Sequence, residues 1–569
     1  MPCGWLPRVA SRCPPVSSAG QPGRGSDMTT TLTRRGLTAA SLILSALCTA
    51  HAQTGPVVRV AEGDLLGLSQ DGLNQFRGIR YASPPVGPLR WVAPQAPQAW
   101  SGVRDATQFG ASCPQAPEPF ADNLSNSEDC LSLNVYAPAA PVTPGGKPRP
   151  VIVWIPGGGA VLGSARQYDA SYLANKTQAV VVTMNYRLGA LGYLWTSGMV
   201  GEKKGHNFSI QDQQAALRWV QRNIAAFHGD PKNVTLSGES VGSISASLHL
   251  VSPTAAGLFH RVLMASGIVP PAIDPSAKAA AKGDAFAQTI GCPPGPGQMA
   301  CLRATPVDAI LRASPTYADI GRAGDLYWKS FIDGEVVTDN IFSAISKGQF
   351  NRVPIIVGST RDEGRGFIPL GYDLDGTAMT EAEYVAAVKA FIGPVVQPVI
   401  TQWLYPSARL GNPSLAFSQF LTDSGFACQA NEVSQRASTY VPVYTYEFAD
   451  RTAPEYVPSP FMASGAFHAA DLLYWFQTPV GAAPLTLNAA QLRLSDQMIR
   501  YWKRFAETGD PNVRDGSADP AWPRYNKLST PYLTLVPDAI TVQDWGAFQR
   551  AHQCGTWSTL YVLRALGLS

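Results

Sequence analysis

A serine in a tight turn, a histidine far downstream and an acidic residue between them are the groups whose types and order support nucleophilic chemistry. Gly238-Glu239-Ser240-Val241-Gly242 is the one G-x-S-x-G of the sequence. The strand-like Asn233–Ser237 runs into it, and the helix-compatible Ser243–Leu250 follows. Flanking glycines permit a sharp strand-to-helix turn that lifts the Ser240 hydroxyl above a sheet edge. Backbone N–H groups at the start of the helix favour developing negative charge there. A hydroxyl needs a base to take its proton. Beyond residue 52, His206, His228, His249, His260 and His552 read as surface or structural side chains. His468 stands apart, in Gly465-Ala466-Phe467-His468 before Asp471 and the apolar run Leu472–Phe476. A carboxylate must then hold the imidazole tautomer and stabilise the imidazolium. Glu363 is the leading candidate and Asp362 its local rival, both following the apolar run Val353–Gly358; spacing alone does not separate them.

Attack on a carbonyl creates an oxyanion, and each donor placed for it contributes roughly 3–4 kcal/mol to transition-state stabilisation. Pro156-Gly157-Gly158-Gly159 follows the strand-like Val151–Ile155, and residues without side chains let backbone N–H groups approach closely. Gly158, Gly159 and Val241 are the expected donors.

These groups require a scaffold that presents several turns along one edge. Short β-branched runs recur at Val151–Ile155, Ala179–Met184, Asn233–Ser237, Val262–Ala265, Val353–Gly358 and Val441–Phe448. Such runs suit strands buried on both faces of a parallel sheet. Amphipathic helical patterns lie between and after them, at Gln211–Phe227 and Asp496–Ala506. The alternation predicts an α/β fold, a large, mostly parallel central sheet flanked by helices. The Pro/Gly stretch Pro138–Pro150 reads as a loop, so residues 53–569 are expected to form one domain.

Composition narrows the classes. Of 569 residues 45% are apolar and 15% charged, with 21 Phe, 20 Tyr and 13 Trp, which argues against disorder. A net charge of +3 without a basic patch argues against nucleic acid as a partner. No uninterrupted apolar stretch reaches the roughly 18 residues that a membrane span needs. The first 52 residues read as a leader. Met28 is the expected start, followed by Arg34-Arg35, the apolar Leu37–Leu47 and Ala50-His51-Ala52, a signal peptide cleaved before Gln53. Export to the periplasm or medium follows, by the general or the twin-arginine route. Cleavage leaves 517 residues and removes five arginines and Asp27, so 39 Lys and Arg face 40 Asp and Glu. Six of nine cysteines remain, an even number that suits three disulfides in an oxidising compartment.

Taken in order, the motifs resemble the type B carboxylesterases, the α/β-hydrolase family that includes para-nitrobenzyl esterases and cholinesterases. The similarity spans nearly all of Pro56–Trp557. It is carried by Phe76–Ala82 with Pro84–Gly87, by Ser127–Leu131 with Leu133–Val135, and by Asn185–Gly189, Asp212–Val220 and Gly229–Pro231. Gly509–Asn512 and Trp522–Tyr525 extend it. The order Ser240, Glu363, His468 is that of the α/β-hydrolases. The resemblance implies that Ser240 is the acyl-accepting nucleophile, His468 the general acid and base, and Glu363 rather than Asp362 its partner. It implies disulfides Cys113–Cys130 and Cys292–Cys301, which leaves Cys428–Cys554 as a third. Glu239 matches an acidic residue that tunes the protonated histidine. Pro156, Ala160, Val241, Ala469 and Asp471 depart from the family pattern without removing a catalytic group.

The activity so implied is hydrolysis of small or medium uncharged carboxylic esters, with no metal or organic cofactor. The Cys113–Cys130 loop has Phe120 as its sole aromatic, which argues against acetylcholine, since choline binding uses an aromatic face. Two other readings stand beside it. One is a catalytically silent adhesion member of the family; the other is a hydrolase of thioester, amide or carbamate bonds. Retention of all three catalytic residue types weighs against the first. N-terminal sequencing of the native protein is expected to begin at Gln53, and a start upstream of it would refute cleavage there.

Overall fold

Apolar runs too short for helices build the centre of the molecule. The computed structural model describes residues 55–117, 127–142, 145–200, 205–268, 273–323, 326–372, 376–478, 485–512, 516–543 and 545–565. The expected leader, residues 1–52, and Phe120 lie outside them. Eleven strands among the described residues form one sheet. In chain order they are β1 (Leu68–Gln70), β2 (Leu73–Arg80), β3 (Ser132–Pro138), β4 (Arg149–Ile155), β5 (Val180–Met184) and β6 (Gly229–Glu239). There follow β7 (Arg261–Ala265), β8 (Ile355–Thr360), β9 (Val443–Phe448), β10 (Tyr532–Leu535) and β11 (Thr541–Gln543). Their spatial order is β11-β10-β9-β8-β7-β6-β4-β5-β3-β2-β1. From β5 to β10 every neighbouring pair is parallel, and antiparallel strands close both edges. The expected mostly parallel sheet is therefore present. Val57–Val60, Gly63–Leu66 and Val103–Asp105 make a separate three-stranded sheet.

Alternation along the strands divides the core. Val151, Val153 and Ile155 of β4 enter one apolar cluster, whereas Ile152 and Trp154 enter the other on the opposite face. All five are fully buried, and burying a side chain of this kind contributes roughly 1.5–3 kcal/mol. Trp154 meets Phe476 at 4.9 Å and Trp502 at 5.9 Å between ring centroids. Trp502 belongs to the helix Ala489–Thr508, and Phe476 to Leu472–Phe476. Helices thus cover a face whose strands would otherwise expose tryptophan.

Several element boundaries differ from the sequence expectation. The nucleophile strand extends from Gly229 to Glu239 rather than over Asn233–Ser237. The helix expected at Gln211–Phe227 spans Phe208–Asn223 and tightens into a 3-10 turn, Ile224–Phe227. The helix expected at Asp496–Ala506 spans Ala489–Thr508, its start fixed by an Asn488 capping box. Strand β3 did not register as an apolar run because Asn134 interrupts it. Asn134 is buried, donates to Thr183 Oγ1 at 3.0 Å and accepts from Gly78 N at 3.0 Å.

Three disulfides join Cys113 to Cys130, Cys292 to Cys301 and Cys428 to Cys554. The third bridges 126 residues and brings the helix Trp545–His552 against the sheet. There His552 is 1% exposed, with Nδ1 at 2.8 Å from Asp423 Oδ1 and Nε2 at 2.7 Å from Glu447 Oε1. Each ring nitrogen needs a proton to serve its carboxylate, so this histidine is an imidazolium. Burial opposes that charge, but the Asp423 and Glu447 carboxylates overcome it and push the pKa up to about 10. Arg361, on the loop that follows β8, donates from Nε to Glu447 Oε2 at 3.1 Å and extends the network. Among the described residues no helix is long and apolar enough to cross a membrane.

A folded-state pKa above the unfolded value of about 6.5 means full stabilisation below that pH, lost progressively as pH rises towards 10. The urea midpoint is expected to fall across this window. His552→Gln, which breaks a buried ionic network, is expected to cost about 3–5 kcal/mol at neutral pH and to flatten the alkaline slope. An unchanged slope in the variant would refute the assignment.

Candidate active site

The turn at Ser240 shows why the sequence needs both glycines of its motif. Ser240 has φ 57° and ψ −127°, a strained backbone from which the next residue begins the helix Val241–Val251. A Cβ on Gly242 would lie 2.0 Å from the Ile155 carbonyl oxygen, and one on Gly238 would lie 2.4 Å from the Gly242 carbonyl carbon. The turn therefore packs directly on the end of β4, whose Ile155 is the register partner of Gly238. This close approach also sets the glycine loop after β4 beside the serine.

Gly158 is half-buried and Gly159 buried, with φ 113° and 63°, and Val241 is the first residue of its helix. Among the described residues none of these three backbone N–H groups donates to a protein acceptor. Gly157 N, by contrast, donates to the Tyr168 hydroxyl at 3.3 Å.

Glu363 lies in a 3-10 turn immediately after β8 and is fully buried. Its Oε1 accepts from Thr360 N at 2.7 Å, and its Oε2 lies 2.6 Å from His468 Nδ1. The ring of His468 packs against Phe367 and Phe426, with centroids at 4.6 and 5.1 Å. Its Nε2 has no hydrogen-bond partner among the described residues and sits 3.2 Å from Glu239 Oε1 outside hydrogen-bond geometry. Burial disfavours the charged ring, but the Glu239 and Glu363 carboxylates outweigh it and raise the His468 pKa well above its ordinary value. Burial likewise raises Glu239 and pushes Asp471 up to about 7.

The rival acid takes a different position. Asp362 N donates to Ala466 O at 2.9 Å, while Asp362 Oδ2 accepts from Ala466 N at 3.1 Å. The same carboxylate is held by Arg451 through Nε at 2.8 Å and a terminal nitrogen at 2.9 Å. Asp362 thus clasps the Glu363 turn to the histidine loop, and Gly364 N donates to Thr422 Oγ1 at 3.0 Å on the other side. Sequence reasoning had no signal for Thr422, Phe367 or Phe426. Each acts through a neighbour remote in the chain.

Ser240, Glu239, His468 and Gly158 line one cavity of about 100 Å³, walled otherwise mainly by apolar and aromatic side chains. Glu363 lies behind the histidine. Gly159 and Val241 adjoin the cavity through their chain neighbours but are not among its lining residues. Among the described residues no cluster of His, Cys, Asp and Glu has metal-site geometry.

A strained serine turn, a buried Glu–His pair and a glycine loop thus meet along a parallel sheet edge. A sequence model of the carboxylesterase family matches residues 54–557. A para-nitrobenzyl esterase of Bacillus subtilis (strain 168) is 32% identical over 503 residues, covering 86% of this chain and 96% of that protein. A cocaine esterase of Homo sapiens is 34% identical over 532 residues, covering 88% and 91%. Solved structures of a PNB esterase and of a thermophilic PNB esterase superpose with TM-scores of 0.73 and 0.75, each at 31% identity, over 88% of this chain and 100% of theirs. The chain belongs to the carboxylesterase family, and it is a carboxylic ester hydrolase of the α/β-hydrolase fold.

Gly242→Ala is expected to push the serine turn off β4, destabilising the protein by about 1–3 kcal/mol in urea unfolding. An unchanged midpoint would show that the turn does not depend on this contact.

Proposed function

We propose that ester hydrolysis proceeds through a Ser240–His468–Glu363 triad and an acyl-enzyme. Ser240 Oγ attacks the ester carbonyl carbon as its proton passes to His468 Nε2, while Glu363 keeps the proton on Nδ1 and stabilises the imidazolium. The oxyanion accepts from the N–H groups of Gly158, Gly159 and Val241. The C–O bond to the alcohol then breaks, and the alcohol leaves with the proton from Nε2. Water attacks the acyl-enzyme with His468 again as base, releasing the acid and restoring Ser240. The observation that carries this reading is the buried His468, tied through Nδ1 to Glu363 at 2.6 Å, with Nε2 unpartnered at the cavity that Ser240 also lines.

The small, apolar cavity supports small or medium uncharged esters as substrates; Leu162, Leu370, Phe467 and Leu472 line it. Three disulfides support an exported, oxidising location for a single domain beginning at Gln53. No cofactor enters the mechanism.

The test is a panel of esters varied in acyl and alcohol size, run on the purified protein beside Ser240→Ala. The variant is expected to lose more than about 10³-fold in kcat and to escape labelling by an organophosphonate. Equal activity of variant and parent would remove the triad. Glu239→Gln takes a negative charge away from protonated His468. Its acid limb of kcat/KM is therefore expected to shift to lower pH, and its plateau rate to fall, with the unfolding midpoint retained. A pH profile and plateau identical to the parent would refute the tuning role.

A further inference from the structure

The cavity contains one cation that the proposed chemistry does not use. Arg365, two residues beyond Glu363, lines the same cavity as Ser240 and His468, with its side chain 20% exposed. One terminal nitrogen donates to Ala463 O at 2.9 Å, and the other lies 3.2 Å from Asp362 Oδ1. Asp362 is already matched by Arg451, which grips both its oxygens. Two guanidiniums therefore share one carboxylate, and a positive charge is left over at the cavity wall. A guanidinium carries five N–H donors, so these two contacts leave donors for a ligand. Burial lowers the Arg365 pKa, with Asp362 opposing and Arg451 adding to the effect.

A second polar group lies beside it. Ser464 follows Ala463, lines the cavity and is 3% exposed, yet its hydroxyl has no hydrogen-bond partner among the described residues. Buried hydroxyls are ordinarily satisfied, and an acceptor on a bound molecule would satisfy this one. Glu239 is the one acid among the residues lining the cavity, and it lies next to His468 Nε2. An anion close to the scissile carbonyl would meet that carboxyl group.

We propose that the cavity also takes esters bearing a carboxylate remote from the scissile bond, half-esters of dicarboxylic acids, with Arg365 as counter-ion and Ser464 as a second donor. This rests on the esterase reading above and adds no covalent step: the same ester bond is cleaved, and a dicarboxylic acid is released. A carboxylate matches the forked guanidinium through charge-assisted hydrogen bonds. An apolar wall strengthens such bonds by excluding water.

The experiment compares kcat/KM for monoethyl adipate and ethyl hexanoate on the wild-type protein, Arg365→Ala, Arg365→Lys and Ser464→Ala. Active enzyme is counted by organophosphonate titration. The half-ester to neutral-ester ratio is expected to fall about tenfold or more in Arg365→Ala, less in Ser464→Ala, and to be partly restored in Arg365→Lys. Free adipate is expected to inhibit ethyl hexanoate hydrolysis competitively in the wild type, with the inhibition weakened in Arg365→Ala and by salt. A ratio and an adipate inhibition that do not respond to Arg365 would overturn this proposal while leaving the esterase reading intact. Failure of the wild type to hydrolyse either ester would overturn both.

Discussion

Two loops separated by about a hundred residues must keep one register for this site to exist, and the Asp362 carboxylate holds that register. Its Oδ2 accepts from Ala466 N while the backbone N–H of Asp362 donates to Ala466 O, a two-way bond between the turn carrying Glu363 and the loop carrying His468. With the loops so joined, the 2.6 Å approach of Glu363 to His468 needs no further adjustment of backbone. Arg451 neutralises the clasp, so its burial does not leave a lone charge in a medium of low polarity. Asp362 thus supports the turn from which Glu363 reaches His468.

Electrostatics around the histidine follow from the same enclosure. Glu239, Glu363 and Asp471 are all buried around it, and each would be costly as an isolated anion. Only Glu363 has both oxygens engaged, by Thr360 N and His468 Nδ1. Glu239 and Asp471 each keep an oxygen without a hydrogen-bond partner among the described residues, and both pKa values rise. Burial is the larger cause for both.

Local steric constraints were the legible part of the sequence. Gly238 and Gly242 announce a turn because no side chain fits there, and β-branched runs announce buried parallel strands for the same kind of reason. The ranking of Glu363 over Asp362 was not readable from spacing. It depends on which side chain a 3-10 turn directs at the imidazole, a property of turn geometry rather than of residue type. Strand β3 escaped notice because Asn134 is satisfied by partners on two other strands. His552 read as a structural histidine, which it is, but its two carboxylates lie 129 and 105 residues away. Arg365 stood in plain view next to Glu363, and only the cavity distinguishes it from a surface arginine.

Position along the chain gives the His552 network a temporal meaning. The polypeptide is made from its N-terminus at roughly 5–20 residues per second. Ser240 and its glycine loop are synthesised well before His552 and Cys554. Until those last two emerge, Asp423 and Glu447 have no imidazolium between them, and Arg361 at the base of the acidic turn has half a network to hold. A nascent chain therefore carries Ser240 before the network that holds Glu447 and Arg361 is complete. The buried network is completed by the last-made of the segments that it joins.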